Sequence, residues 1–250
     1  MIPNIIFIIP YRDRIQHRYF FNLYMKHILE DIDNYEIYYA EQKDTMPFNR
    51  GAMKNIGFIA MKEKYKEHYK NITFVFNDID CIPYKKNLLD YKTTKGTIKH
   101  FYGHKNMLGG IVSINGEDFE KMNGFPNYWT WGYEDNILGI RAKKNNIHID
   151  YSVFYKINDP NILHFYHGNK RIHDISLKIQ DNDNGLSIIN THNYTIDNDN
   201  INIENFTLEK YGYIHNNYIK EIDITTTQYA RDRLNTKKIK PSFKMNFGFN

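Results

Sequence analysis

Residues Asn4 to Ile9 form a short unbroken apolar run of β-formers. That pattern belongs to a strand buried on both faces, in the middle of a sheet with layers packed above and below it. The run ends in Pro10-Tyr11-Arg12-Asp13-Arg14, after which Ile15, Tyr19, Leu23, His27 and Ile28 recur at roughly helical spacing. A second strand is expected over Tyr35 to Ala40, then a polar connection through Pro47. A helix follows from about Arg50, with Met53, Ile56, Ile59 and Ala60 able to face inward, and then a third strand over Ile72 to Phe76. Strands alternating with helices imply an α/β fold with a mostly parallel central sheet flanked by helices, and ligands at the carboxyl ends of its strands.

The pattern weakens from Lys85 to Lys105 and resumes as a strand over Met107 to Ile114, interrupted by Gly109-Gly110. Glu117 to Met122 suits a short helix, Gly124 to Gly132 an aromatic loop, and Glu134 to Lys144 a helix with Glu134 and Asp135 in its first turn, where acids favour the helix dipole. Beyond Leu163 the chain is rich in His, Asn and Asp, with strands expected only near Phe206 to Leu208 and Tyr218 to Ile224. A length of 250 residues fits one core. The organisation read here is one domain over 1–224 followed by a basic extension over 225–250.

The longest early apolar run, Ile5 to Pro10, is far short of the roughly 20 residues that cross a bilayer. A soluble, cytoplasmic chain without a transmembrane segment is therefore expected. A net charge of +4 without a dense Lys/Arg stripe argues against nucleic acid and for a small anionic ligand. The single cysteine, Cys81, suits a reducing compartment and leaves oxygen and imidazole as the expected metal donors.

Four groups of residues could carry chemistry. Asp78-Ile79-Asp80 directly follows a buried-type strand, where two carboxylates can hold a cation or nucleotide, whereas the pairs at Asp31/Asp33, Asp181/Asp183 and Asp197/Asp199 lack that context. His164 and His167 could converge on an ion with Asp80 if a strand ends near His164, although a histidine pair is more often structural. Trp129 and Trp131 flank a loop that leads through Gly132 to Glu134 and Asp135; sugar rings stack on such faces, but core packing accounts for tryptophans equally well. Arg12, Arg14 and Arg50 follow the first two strands and could gather on phosphate oxygens. No G-x-G-x-x-G, Walker A or G-x-S-x-G pattern is present, so dehydrogenase, P-loop kinase and serine hydrolase readings recede.

Taken in order, these blocks resemble the β-1,4-galactosyltransferase family of inverting glycosyltransferases. Ile8-Ile9-Pro10-Tyr11-Arg12-Asp13-Arg14 is similar to its IPFRNR-type segment, Phe48-Asn49-Arg50-Gly51 to its FNRA, and Asp78-Ile79-Asp80 to its DVD. Leu108-Gly109-Gly110, Asn123-Gly124-Phe125-Pro126-Asn127 and Trp129-Thr130-Trp131-Gly132-Tyr133-Glu134-Asp135 resemble its FGG, NGFPN and WGWGGED run. The resemblance implies a GT-A type nucleotide-sugar fold in which Pro10, Arg12, Arg14, Phe48, Arg50, Asp78, Ile79, Met107 and Gly110 contact the UDP-sugar donor. It further implies that Asp80, His164 and His167 hold Mn2+ or another divalent cation, and that Trp131 lies on a loop closing over the donor. Glu134 would contact sugar, and Asp135 would take the proton of a glycan or glycoside acceptor.

Several positions depart from the family. His164 stands where the family has a metal methionine, which favours borderline ions. Met107 stands where galactose-using members have a tyrosine crowding the sugar's C2 substituent, so UDP-GalNAc is an expected donor beside UDP-galactose. Tyr133 replaces a loop glycine and Asn136 an acid. Two other readings compete: a nucleotide-sugar or glycan-binding module of the same fold without turnover, and a metal-dependent phosphohydrolase using Asp78, Asp80, His164 and His167. Intact Asp135 opposes the first, and the second leaves the tryptophan loop without a role.

Overall fold

A computed structural model describes residues 1–209 and 218–224. The expected extension from Thr225 to Asn250 lies outside the described residues. In chain order the elements are β1 (Ile5–Tyr11), α1 (Ile15–Ile28), β2 (Tyr35–Gln42), α2 (Arg50–Tyr65), β3 (Thr73–Asn77), β4 (Cys81–Pro83), β5 (Thr97–Gly103) and β6 (Ile111–Asn115). There follow α3 (Gly116–Lys121), α4 (Glu134–Lys144), β7 (His148–Asp150), β8 (Tyr155–Lys156), β9 (Ile162–His164), β10 (Lys170–Asp174), β11 (Ile189–Asp197), β12 (Asn200–Leu208) and β13 (Ile219–Asp223).

The central sheet runs β11-β12-β2-β1-β3-β6-β5-β7, with β8 also paired to β5. Parallel pairings predominate, but β6 runs antiparallel to both β3 and β5, and β11 antiparallel to β12. As expected of a central strand, β1 is buried along its whole length. Its residues alternate between two cores: Ile6 and Ile8 pack with α2, while Ile5, Phe7 and Ile9 pack with Phe21, Met25 and Ile28 of α1. Helix α2 lies so close to the sheet that a Cβ on Gly57 would sit 2.7 Å from Ile8 Cγ2.

Three sequence expectations need correction. Helix α1 exists, but Ile15, Tyr19 and Leu23 are 76 %, 73 % and 63 % exposed. Its buried stripe is Phe21, Met25 and Ile28, because an apolar residue occurs on both sides of the helix and spacing alone does not choose between them. The strand expected from Met107 starts only at Ile111, since Met107 to Gly110 form a turn held by Met107 N–H and Gly109 N–H donating to His104 O and Met107 O. Strand β5 lies within the stretch that showed no pattern, its alternation hidden by Lys99 and the fully buried His100.

Behind the aromatic loop, Phe58, Phe76, Phe119 and Phe125 form a ring cluster with centroids 4.4–5.7 Å apart along its contacts. Asn55 of α2 fixes the loop from below: its amide donates to Phe125 O at 2.7 Å and its carbonyl accepts from Phe125 N–H at 3.0 Å. Buried Arg141 of α4 donates to the carbonyls of Asn123, Gly124, Asn182 and Asn184, tying this loop to the later chain. The segment leading to Glu134 and Asp135 is therefore anchored by core packing and by satisfied buried polar groups.

Candidate active site

The carboxyl ends of β1 and β3 deliver the first half of the site. Pro10 lies next to last in β1, Arg12 and Arg14 follow the strand, and Asn49 caps α2 by accepting from Ala52 N–H at 2.9 Å, which presents Arg50 at the helix start. After β3 the chain turns tightly, with Cys81 N–H donating to Asp78 O at 3.0 Å and Asn77 Nδ2 donating to both Asp78 O and Cys81 O. Asp78 N–H donates to Gly110 O at 2.8 Å, so Gly110 holds the turn through its backbone. Gly110 adopts φ +72°, and a Cβ there would lie 2.4 Å from Tyr102 O, so only glycine fits. Pro10, Arg12, Arg14, Phe48, Arg50, Asp78, Ile79 and Asp80 line one cleft of about 520 Å³.

Charge within this cleft is internally paired. Arg50 Nη1 lies 2.7 Å from Asp78 Oδ2 and its Nε 3.6 Å from Glu134 Oε1, while Arg14 Nη1 lies 3.3 Å from Asp80 Oδ2. Arg12 donates to Met46 O at 2.6 Å and stacks over Phe48. Burial opposes the charge on Arg50, but Asp78, Glu134, Asp80 and Asp135 outweigh it and raise its pKa. Burial likewise opposes ionisation of Asp80; the His167 hydrogen bond and the charges of Arg50, His167 and His164 prevail and hold the carboxyl well below the usual carboxylate range.

The second region adjoins the first through Arg50, Asp78 and Asp80. Strand β9 ends at His164, as the convergence of the two histidines requires, and pairs antiparallel with β4 so that Cys81 faces His164. Ligand atoms of Asp80, Cys81 and His164 lie within 4.8 Å of one another, and His167 Nδ1 is 3.0 Å from Asp80 Oδ2. A carboxylate and two imidazoles fit a divalent cation of borderline softness. The β4–β9 register also brings the lone sulfur to this point, but burial, with Asp80 and Asp78 adding to the rise, pushes the Cys81 thiol up and keeps it protonated, so oxygen and imidazole stay the expected donors. Tyr102 OH pairs with His164 Nδ1 at 2.8 Å, and Arg171 Nη2 with His167 Nε2 at 2.5 Å. Such partners orient imidazoles around a cation.

The third region shares Met107, Trp131, Glu134 and Asp135 with the second and extends to Tyr133, Asn136 and, from the β10–β13 pair, His173 and Ile222. The two tryptophans divide. Trp129 is buried and stacks on Phe206 with centroids 4.9 Å apart, whereas Trp131 lines the cleft. Trp131 N–H donates to Ile172 O, and His173 Nδ1 pairs with Trp131 O at 2.7 Å. Tyr133 takes φ +68° in the left-handed region, where the family pattern has glycine. Glu134 is buried and accepts from Gly132 N–H at 3.1 Å.

Asp135 lies in the first turn of α4, against Gly109. The helix dipole was expected to keep it acidic. Instead burial pushes the carboxyl up, with Glu134 and Asp78 adding to the rise and Lys54 and Arg50 opposing it, to about 7. A carboxyl titrating near neutrality has the basicity that general-base chemistry needs. Sequence reasoning missed Lys54, Cys81, Tyr102 and Arg171. Only Lys54 carried a signal: it sits one helical turn from Arg50, and two cations at a helix start oppose the dipole unless carboxylates face them.

The family model described as the N-terminal region of glycosyl transferase group 7 matches residues 2–92, and that described as the N-terminal domain of galactosyltransferase matches residues 93–168. Together they take in about two-thirds of the chain. The chain belongs to the β-1,4-galactosyltransferase family. Among its family relatives, xylosylprotein 4-beta-galactosyltransferase of Caenorhabditis elegans is 27 % identical over 184 residues, covering 70 % of this chain and 62 % of that protein. Human beta-1,4-galactosyltransferase 6 is 33 % identical over 147 residues, covering 54 % of this chain and 37 % of its own length. The chain thus spans less than two-thirds of these relatives. The catalytic domain of Drosophila β1,4-galactosyltransferase 7 superposes with a TM-score of 0.61 at 21 % identity, covering 81 % of this chain and 94 % of that one. The fold of this galactosyltransferase-family chain is accordingly of GT-A type. Among the described residues no helix is long and apolar enough to cross a membrane.

Proposed function

We propose that this chain is a metal-dependent, inverting glycosyltransferase that moves galactose or N-acetylgalactosamine from a UDP-sugar to a glycan or glycoside hydroxyl. One observation carries the reading: an arginine-lined cleft, the Asp80–His164–His167 group and the near-neutral carboxyl of Asp135 follow one another along a single groove. A mutant of Drosophila β1,4-galactosyltransferase 7, solved with manganese, UDP-Gal and xylobiose, supports this assignment of donor, cation and acceptor type.

In this mechanism Arg12, Arg14 and Arg50 take the diphosphate oxygens, with Pro10, Phe48 and Ile79 shaping the nucleotide pocket. A divalent cation held by Asp80, His164 and His167 would supply positive charge to offset the negative charge growing on the departing diphosphate. Asp135 accepts the proton of the acceptor hydroxyl as its oxygen bonds to the anomeric carbon. The bond from that carbon to the β-phosphate oxygen breaks, and its electron pair leaves on UDP. Attack from the face opposite the leaving group inverts the anomeric centre. Glu134 fixes the Gly132 amide and contacts sugar, and Trp131 closes over the donor to exclude water.

The test incubates purified protein with manganese, a panel of UDP-sugars and simple glycoside acceptors, following both UDP release and new glycoside. Transfer from UDP-GalNAc as well as UDP-galactose is the expected outcome, because Met107 is flexible and presents no hydroxyl at the sugar. Transfer from UDP-galactose alone overturns the donor assignment. Metal-dependent cleavage of simple phosphoesters without sugar transfer, or no metal-dependent UDP binding, overturns the whole reading.

A further inference from the structure

Lys54 is an anomaly in this fold. It lies on α2 between the core residues Met53 and Ile56, and its side chain is 1 % exposed. A lysine buried so deeply is stable as a cation only where fixed negative charge or π-density surrounds it. Its Nζ lies 3.5 Å from Asp135 Oδ1, 3.8 Å from Asp78 Oδ1 and 4.4 Å from the centre of the Phe125 ring. Both carboxylate oxygens it faces are buried without a hydrogen-bond partner. The other oxygen of Asp78 is taken by Arg50, and the Asp135 carboxyl lies against Gly109 on one side while it lines the cleft on another. A single ammonium therefore bridges two neighbouring carboxylates that line the same cleft.

We infer that Lys54 is a positioning residue that clamps the Asp135 carboxylate in place for proton abstraction and ties it, through Asp78, to the turn that receives the diphosphate. The inference deepens the proposed transfer reaction and rests on Asp135 being its base. The groups that face Asp135 are Lys54 and Arg50 from α2, Glu134 from α4 and Asp78 from the turn after β3. Glu134 and Asp78 disfavour its ionised form, and Lys54 is the leading charge that favours it. Arg50 is already shared between Asp78 and Glu134, so it does not replace Lys54. Without the ammonium, Asp135 would retain a proton at neutral pH and could not accept another. Because Lys54 is not among the side chains that line the clefts, its removal acts on the base and spares nucleotide affinity.

The experiment uses Lys54→Met, which keeps length and apolar volume while deleting charge, and Lys54→Arg, which restores charge. The Asp135 carboxyl is titrated directly by carbon NMR of aspartate-labelled protein, with its signal assigned by absence in Asp135→Asn. In parallel, the pH profile of kcat/KM and the affinity for UDP with manganese are measured. Removing an opposite charge at this distance should raise the Asp135 titration, and the acid limb of the profile, by about one pH unit or more. Activity at pH 7 should fall about fivefold or more and partly recover at higher pH, with UDP affinity within about twofold of wild type. Lys54→Arg should return the titration toward the native position. A folded Lys54→Met protein whose Asp135 titrates as in wild type overturns the inference, whatever its activity. If the titration moves as expected but wild-type protein transfers no sugar from any donor, the transferase reading fails while the Lys54–Asp135 coupling stands.

Discussion

Gly109 gives a direct handle on the placement of Asp135. A Cβ built on it would lie 2.0 Å from Asp135 Oδ2, 2.4 Å from Cγ and 2.9 Å from Oδ1. Gly109, unlike Gly110, has no positive φ, so Gly109→Ala strains no backbone and its effect is purely one of space. Reaching an ordinary contact of 3.4 Å requires the carboxyl to retreat by about 1.4 Å. A misplacement of about 1 Å at a reacting group costs on the order of a hundredfold in rate. Loss of general-base catalysis altogether, as in Asp135→Asn, costs about a hundredfold or more. The two variants should therefore fall in the same range of kcat under saturating donor and acceptor, while calorimetry shows native UDP affinity for both. A Gly109→Ala enzyme with kcat close to wild type would refute the idea that Asp135 must sit where it is found. A parallel loss of UDP binding would show that the change disturbs the Asp78 turn instead.

Asp80→Ala and His167→Ala should each weaken UDP binding in the presence of manganese and leave metal-free binding little changed; equal manganese dependence in calorimetry removes them as ligands. The two tryptophans should separate cleanly: Trp129→Ala should cost about 3–5 kcal/mol of stability by emptying the stack on Phe206, and Trp131→Ala should keep the melting temperature while raising the donor KM. Buried His100 has its pKa pushed down to about 4 by burial, against the opposing pull of the Gly109 and Tyr102 carbonyls. The unfolded chain, titrating near 6.5, therefore binds the extra proton between these values. Stability is full above pH 6.5 and should decline by about 3 kcal/mol as pH falls toward 4. Urea denaturation across that range checks this, and a His100→Gln protein with an equally steep decline counts against it.

The alternation from β1 to β3 was legible because β1 and β3 are short apolar runs buried along their length and β2 between them is rich in β-formers. Strand direction was not: an apolar run reads the same either way, so the reversal of β6 against β3 depends on the glycine turn that precedes it. Of the hairpin of β11 and β12 only the Phe206 to Leu208 end was legible, since Asn and Thr occupy many of its exposed positions and β11 is an edge strand. Asp78 and Asp80 stood out from three similar pairs through the strand before them. His164 and His167 needed the strand end that the structure supplies. Of the partners that complete the site, Lys54 left a trace in its spacing from Arg50, but its contacts with Asp78 and Asp135 join distant segments, and Arg171 lies four residues from His167 in a stretch without periodicity to mark it.

The ion pairs of the groove have a thermodynamic consequence. Asp80 gives Arg14 the negative charge that a phosphate would bring, and Arg14 gives Asp80 the positive charge that a cation would bring. Arg50 and Asp78 stand in for the same two ligands one step further along. Either ligand arriving alone must break such a pair and strand its other member in a partly buried cleft, which is costly. When both arrive together, each freed group finds a new partner at once. Under the proposed function, diphosphate and cation would therefore be linked reciprocally, each raising the affinity of the other by the same factor, and neither alone would readily fill the groove.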